Sequence, residues 1–392
     1  MNNNRLPLYV IFVLVAVAII WRISSPPPKA LPGPVGPFGG WKSSRTIGEM
    51  GAYAVNPAGA LWAGAWNHKE PAANTTSSAI RIIDFNSHSG KSCALPNGIE
   101  VYYLSWANDR IIRVCFSTVS DPDKGLGLIL VDAVEGKIKD EPVYCSDIKR
   151  VVYWPEATST LIAQTDDEPA CVASFKFAGF EKPDESGESL FSIIGEPIPI
   201  PGEDAGNLYK DAGIVNSGST FVFSVNDDEA KGGRAYYMSD AYTASADKIF
   251  ELDDVPGRIL HIWPAPMEAL ILCGVGQKLH LVIYDVQTHK IIDKPNGVGD
   301  ITIWPEAPEK IPYTSYDGGF ELDLATGKSK AAFDLSKRNS DDEKTWRDMI
   351  RGSTFYKLKD GNFVTISEVG GLVDIRELKP NGMWYRDVLS RN

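Results

Sequence analysis

At 392 residues the chain has room for two or three average domains or for one closed repeat structure, and 43% hydrophobic with 10% aromatic residues supplies a full core. Its net charge of −12, with 51 acids against 39 bases, excludes a reader of nucleic-acid phosphates, because Lys and Arg are scattered rather than gathered on a basic face. Five cysteines (Cys93, Cys115, Cys145, Cys171, Cys273) without C-x-x-C spacing signal neither a zinc site nor a disulfide framework.

The first predicted element is apolar. Residues 8–21 (LYVIFVLVAVAIIW) form an uninterrupted hydrophobic run, lengthened by Leu6 and Pro7, that falls between a signal-peptide core and a full membrane span. Ala16-Val17-Ala18 offers small residues for cleavage, but the run continues through Ile19, Ile20 and Trp21. Residues 1–23 are therefore expected to be an uncleaved signal anchor, with one transmembrane helix over 6–23. Trp21 and Arg22 suit the interface, where an indole and a snorkelling guanidinium lengthen a short span. The short head favours a cytoplasmic N-terminus, which makes this a single-pass membrane protein with its body periplasmic or extracellular. Residues 24–50, opening with SSPPPKALPGPVGPFGG, have no periodicity and read as a semi-rigid spacer.

From residue 51 to 390, short apolar or alternating runs are separated by turn residues every eight to twelve positions. This is an all-β pattern, and one turn recurs. Trp154-Pro155-Glu156-Ala157 returns as Trp263-Pro264-Ala265-Pro266 and Trp304-Pro305-Glu306-Ala307, each after a strand-like run. Allowing for drift, the equivalent positions are Asn56, Trp106, Trp154, Asn216, Trp263, Trp304 and Lys359, at separations of 50, 48, 62, 47, 41 and 55 residues. That spacing fits four-stranded units, seven in number: about 51–98, 99–147, 148–208, 209–256, 257–298, 299–350 and 351–390. A second marker sets the register. Ile83-Asp84 to Gly90-Lys91, Val131-Asp132 to Gly136-Lys137, Tyr284-Asp285 to His289-Lys290 and Leu322-Asp323 to Gly327-Lys328 each read as the hairpin between third and fourth strands, with Asp bonding backbone amides at the turn. On this count all seven units supply four strands, leaving 41–47 over.

A hydrophobic strand, Trp or Asn, then Pro or a small residue and an acid or Gly before the next strand resembles a worn W-S-P-D-G turn of TolB-type and prolyl-oligopeptidase-type β-propellers, relatives of the WD-repeat propellers. The resemblance implies a seven-bladed β-propeller of four-stranded antiparallel blades, preceded by the N-terminal helix. It implies no activity. Glu156 and Glu306 stand where that family prefers Asp, no α/β-hydrolase domain follows, and no G-x-S-x-G occurs in the chain.

In such a blade the first-to-second and third-to-fourth turns share one edge, so the regular turns are expected on a structural face. The second-to-third loops share the other edge with the connections between blades, and they are irregular and acidic: Asn67 to Pro71, Asp121 and Asp123, Asp166-Asp167-Glu168, Asp227-Asp228-Glu229, and Asp317. Ser340-Asp341-Asp342-Glu343 caps a predicted helix over 341–351 that carries Trp346 across the same face. These acids with Trp346 are the candidate binding residues, and no catalytic residue stands out. Ca²⁺ is the metal such loops would suit, but no D-x-D-x-D-G loop is present and no cofactor is expected. The five histidines are not at metal-ligand spacing. The recurring tryptophans read as packing between blades. Asn74-Thr75-Thr76 is a glycosylation sequon. The expected function is a membrane-anchored, extracytoplasmic module that binds a protein partner in the cell envelope through its acidic loops. The alternative is a propeller enzyme, lactonase-, lyase- or quinoprotein-like, with its site at the central channel.

Overall fold

The computed structural model describes the chain between Glu49 and Leu389, apart from short stretches in turns and the longer ones at 180–189, 202–211 (save Leu208), 297–309 and 335–353. For 258–317 only the backbone course is described. The expected anchor over 6–23, the spacer, the spare 41–47 and the helix over 341–351 lie outside the described residues, as do Asp166, Glu168, Asp317 and Trp346. Among the described residues no helix is long and apolar enough to cross a membrane.

The chain is written as antiparallel meanders, one after another. The first sheet is β1 (Glu49–Val55), β2 (Leu61–Glu70), β3 (Thr75–Asp84) and β4 (Ser89–Ala94). The second is β5 (Ile99–Trp106), β6 (Ile111–Thr118) and β7 (Leu126–Asp132), closed by an interrupted outer strand, β8 (Lys137–Ile138) and β9 (Val143–Cys145), both paired to β7. Next come β10 (Ile148–Tyr153), β11 (Thr160–Thr165), β12 (Cys171–Phe177) and β13 (Phe191–Pro199), then β14 (Gly213–Val215), β15 (Thr220–Asn226), β16 (Arg234–Asp240) and β17 (Ser245–Glu251). The fifth sheet is β18 (Arg258–Ala265), β19 (Glu268–Val275), β20 (Lys278–Asp285) and β21 (Lys290–Asn296). The sixth has three described strands, β22 (Lys310–Ser315), β23 (Gly318–Asp323) and β24 (Lys328–Asp334). The last is β25 (Thr354–Lys357), β26 (Phe363–Val369), β27 (Leu372–Leu378) and β28 (Trp384–Leu389).

Strand alternation sends one set of side chains to each neighbouring sheet. Ala63, Ala65, Ile80 and Ile82 of the first sheet pack on Trp106, Ile112, Val114, Phe116 and Val131 of the second. The opposite face of the second, through Cys115, Leu126 and Leu128, packs on Val151, Trp154, Leu161 and Phe175 of the third. Ile162 and Val172 carry the pattern on to Phe221 and Phe223 of the fourth. The first four sheets are therefore stacked face to face, in chain order.

Polar side chains register the stack. Asn67, buried, donates from Nδ2 to the Val101 carbonyl at 2.8 Å and accepts the Val101 N–H at 3.0 Å, so one amide imitates a strand edge for β5. The expectation that residues 67–71 form a loop is corrected here: β2 runs to Glu70, pairing Asn67 through Glu70 with Ser78 back to Thr75. Trp263-Pro264 likewise belongs to β18 rather than to the turn, with Ala265 paired to Glu268. β18 is the edge of its sheet, where a proline without an N–H costs no ladder bond.

Candidate functional site

The first turns and the outer hairpins share one edge of each sheet. Phe85 N donates to Ala60 O, Ala133 N to Arg110 O, Phe177 N to Ser159 O and Ala241 N to Ser219 O. That edge is occupied by fastenings between sheets. Trp154 is 1% exposed, packs edge-on to Phe177 and Phe191, and carries the Arg113 guanidinium over its ring at 4.4 Å. The same guanidinium, 1% exposed, donates to Trp106 O, Pro155 O and Thr158 O. Tyr103 accepts the Trp154 N–H at 2.8 Å, and the Glu156 carboxylate accepts the Trp106 N–H. The outer hairpins reach back to the preceding sheet: Lys91 Nζ donates to Val134 O, and Glu196 N to Ala241 O.

The other edge carries the second-to-third loops together with the connections between sheets. In the second sheet the loop after β6 forms a 3-10 turn over Pro122–Lys124, in which Asp123 is exposed and the half-buried Asp121 lies 3.9 Å from Lys124 Nζ. Lys124 also lies over the Tyr144 ring at 5.2 Å. Gly125 ends this loop at φ +73, where a Cβ would come within 2.3 Å of Cys145 O and 2.9 Å of Ile148 O. The loop is thus pressed on the connection into the third sheet, and only glycine fits.

The fourth sheet repeats the arrangement with more charge. Asp227 is half-buried and its Oδ1 accepts the Glu229 N–H at 3.0 Å, which shapes the loop, while Asp228 and Glu229 are exposed. Lys231 ties the loop to the following connection, with its N–H donating to Glu251 at 3.0 Å and its Nζ 3.7 Å from Asp254. Glu251 also accepts from Lys248 Nζ at 2.7 Å, which, with the Lys231 N–H, holds its carboxyl below the ordinary range. Burial, reinforced by Asp227 and Glu251, pushes the Tyr237 phenol up. In the third sheet Asp167 is exposed, and burial, aided by that carboxylate, raises the Cys171 thiol.

Of the expected binding residues, Asp227, Asp228 and Glu229 are brought together with Glu251, Asp253 and Asp254. Asp121 with Asp123, and Asp167, stand on the corresponding loops of the second and third sheets. Asp253 and Asp254 were legible only through the topology, since the connection had to return to this edge. Asp123, Asp167, Asp228 and Glu229 make no ion pair among the described residues. Among those residues no group of three or more His, Cys, Asp or Glu is placed to hold a metal ion. The arrangement offers charge and loop surface.

No known sequence family matches the chain, and no curated protein matches it. Solved structures do. The β-propeller domain of the trilobed protease of Pyrococcus furiosus is similar at 13% identity and a TM-score of 0.45, over 88% of this chain and 96% of that one. The acylaminoacyl peptidase of Pyrococcus horikoshii is similar at 12% and 0.45, with 88% of this chain spanning 52% of that one. TolB of Acinetobacter baumannii is similar at 11% and 0.37, over 82% and 78%. The deciding observation lies in the chain itself: antiparallel meanders, mostly four-stranded, pack in order from the first to the fourth, the sixth packs on the last, and the last meets the first through Lys359 N–H to Asn86 Oδ1 at 3.2 Å. The fold is a β-propeller. The likeness to TolB and to peptidase propellers is one of fold alone, and the protease activities belong to those proteins.

Proposed function

We propose that this propeller has seven blades and is a binding module, held at the outer face of a cell membrane by residues 6–23, that engages a positively charged protein partner through its acidic loop edge. The observation that carries the reading is the difference between its two edges. One edge is consumed by Arg113, Trp154, Glu156 and the outer hairpins in fastening blade to blade. The other presents Asp123, Asp167, Asp228 and Glu229 exposed, with no ion pair of their own among the described residues. Unneutralised carboxylates on a rigid scaffold raise the local potential, speed the arrival of a basic partner and disfavour acidic ones. Such recognition needs no chemistry.

The test has two stages. Crosslinking of the anchored protein in cells, followed by mass spectrometry, names the partner. Its affinity is then measured for the propeller and for the variant Asp121→Lys, Asp123→Lys, Asp227→Lys, Asp228→Lys at low and high salt. We expect the variant to bind at least about tenfold more weakly and to lose most of the salt dependence. An unchanged affinity, or a partner that crosslinks to the fastened edge, rejects the reading.

A further inference from the structure

The second blade brings an aromatic ring to the acidic edge. Tyr144, on β9, is 46% exposed. It stands opposite Gly127 of β7, which in turn stands opposite Phe116 of β6, so the three positions form one row across the sheet. A Cβ at Gly127 would come within 2.3 Å of the Phe116 ring, which fills the space a side chain there would take. Phe116 is fully buried and meets Tyr144 edge-on, with ring centroids 5.8 Å apart and planes inclined at 83°. A core residue thus props Tyr144 from beneath and fixes its ring, while nearly half of the tyrosine faces solvent. A ring held in place in this way has little freedom left to lose when a ligand settles on it.

The Lys124 ammonium lies 5.2 Å from the centre of that ring and 3.9 Å from the Asp121 carboxylate. A ring face beside a carboxylate is the chemistry that holds a basic side chain, since the ring quadrupole attracts a cation and the carboxylate neutralises it. The cation–ring pairs of Arg81 with Trp66 and of Arg113 with Trp154 are no more than 1% exposed and are fixed parts of the interior. The Lys124 pair is open, with its side chain 48% exposed. A surface ion pair of that length is weak and a lysine stem is flexible, so this ammonium can leave the ring and another cation can take its place. Asp123, exposed in the same turn, adds a second carboxylate. On the fourth blade Lys231 has a carboxylate, Asp254, at 3.7 Å, but no ring beneath it among the described residues. We propose that Tyr144 and Asp121 form the seat for a lysine or arginine side chain of the partner, and that Lys124 occupies this seat until the partner's cation displaces it. The inference rests on the acidic edge being the binding surface and names what that edge grips.

A fluorescent hexalysine peptide, titrated at low salt against the full chain in neutral detergent, tests the seat. The wild type is expected to bind it, and the variant with Asp121, Asp123, Asp227 and Asp228 all changed to Lys is expected not to. Tyr144→Leu keeps apolar bulk and removes the ring, and is expected to weaken binding about two- to tenfold. Tyr144→Phe keeps the ring face and is expected to bind as the wild type does. Lys124→Met empties the seat, whereas Lys231→Met removes the same charge from the fourth blade. The first is expected to tighten binding about two- to fivefold more than the second, and that excess to vanish when Tyr144→Leu is combined with it. Should Tyr144→Leu not fold, the comparison of the two lysine variants decides by itself. Equal affinities of Tyr144→Leu and wild type, or equal gains from the two lysine variants, overturn the inference and leave the acidic edge as the binding surface. If the charge-reversed variant binds hexalysine as tightly as the wild type, the reading of that edge fails and the inference fails with it.

Discussion

Arg113 shows how one side chain holds two blades. Its guanidinium lies flat on Trp154 and sends hydrogen bonds of 2.5 to 3.0 Å to three carbonyls, two of them in the turn of the next blade. A planar fork can serve three acceptors and a ring face together, whereas a lysine ammonium is a single point of charge. Arg113→Lys is therefore expected to lower stability by about 1–2 kcal/mol. Arg113→Met, which keeps the length and loses every donor, is expected to cost about 3–4 kcal/mol through buried carbonyls left without partners. Denaturant midpoints at unchanged slope read both values. Equal stability of the Met variant would show that those carbonyls find water. The recurrence of Trp-Pro-Glu-Ala was legible in the sequence, and its packing role followed from its regularity. Arg113 was not legible, because a lone arginine inside an apolar strand carries no local sign of two carbonyls some forty residues away.

At the scale of the element, the outer hairpin is the unit that repeats most faithfully. Asp132 Oδ1 accepts the N–H groups of Val134 and Glu135, each at 2.9 Å, and its other oxygen pairs with Arg110. Asp84 does the same for Asn86 and Ser87, and Asp240 for Tyr242. This is why an acid followed by Gly-Lys marked the Asp84 and Asp132 hairpins in advance, while the Asp240 hairpin, which has no Gly-Lys, was not marked: the carboxylate replaces the backbone acceptors that a turn lacks. Reading failed where local chemistry was outvoted by neighbours. Asn67 looks like a loop residue, yet β5 needs its amide, and Pro264 looks like a turn residue, yet an edge strand accommodates it. The acidic loops could be assigned to an edge from strand parity, but their closeness to Asp253 and Asp254 depends on how the connection folds back. Hydrogen bonding from Arg110 holds the Asp132 carboxyl below its ordinary value of 3.8. A carboxyl lowered in the folded state adds stability above the ordinary range and loses it as pH falls through the lowered value. Asp132→Asn keeps the turn acceptor and removes that titration. It is expected to change stability by less than about 1 kcal/mol at neutral pH and to flatten the acid limb of the stability profile slightly, whereas Asp132→Ala, which opens the turn as well, is expected to cost more. Thermal melts between acid and neutral pH distinguish the two.

At the scale of the whole molecule, each described blade is built from one continuous stretch of chain, and among the described residues no strand of the first blade joins the last sheet. The described interfaces share parts: alternate strand residues interdigitating, a first-strand aromatic reaching the next first turn, and an outer hairpin reaching back. Tyr103 with Trp154 and Tyr356 with Gly59 are two instances of the second part, and Lys91 with Val134 and Lys359 with Asn86 two of the third. Such an assembly approximates a sum of blade and neighbour terms. A circular permutant makes that statement quantitative. If the chain starts at Asn97 and residues 389 and 49 are joined by a flexible linker of about ten residues, the linker spans roughly 17 Å and tethers the last blade to the first, while the first and second blades lose their connection. Every side-chain contact is retained, and loop-closure entropy changes little, so stability is expected to stay within about 1–2 kcal/mol of the original. A permutant that fails to fold, or that melts well below the original, would mean that the meeting of the first and last blades is special in its contacts.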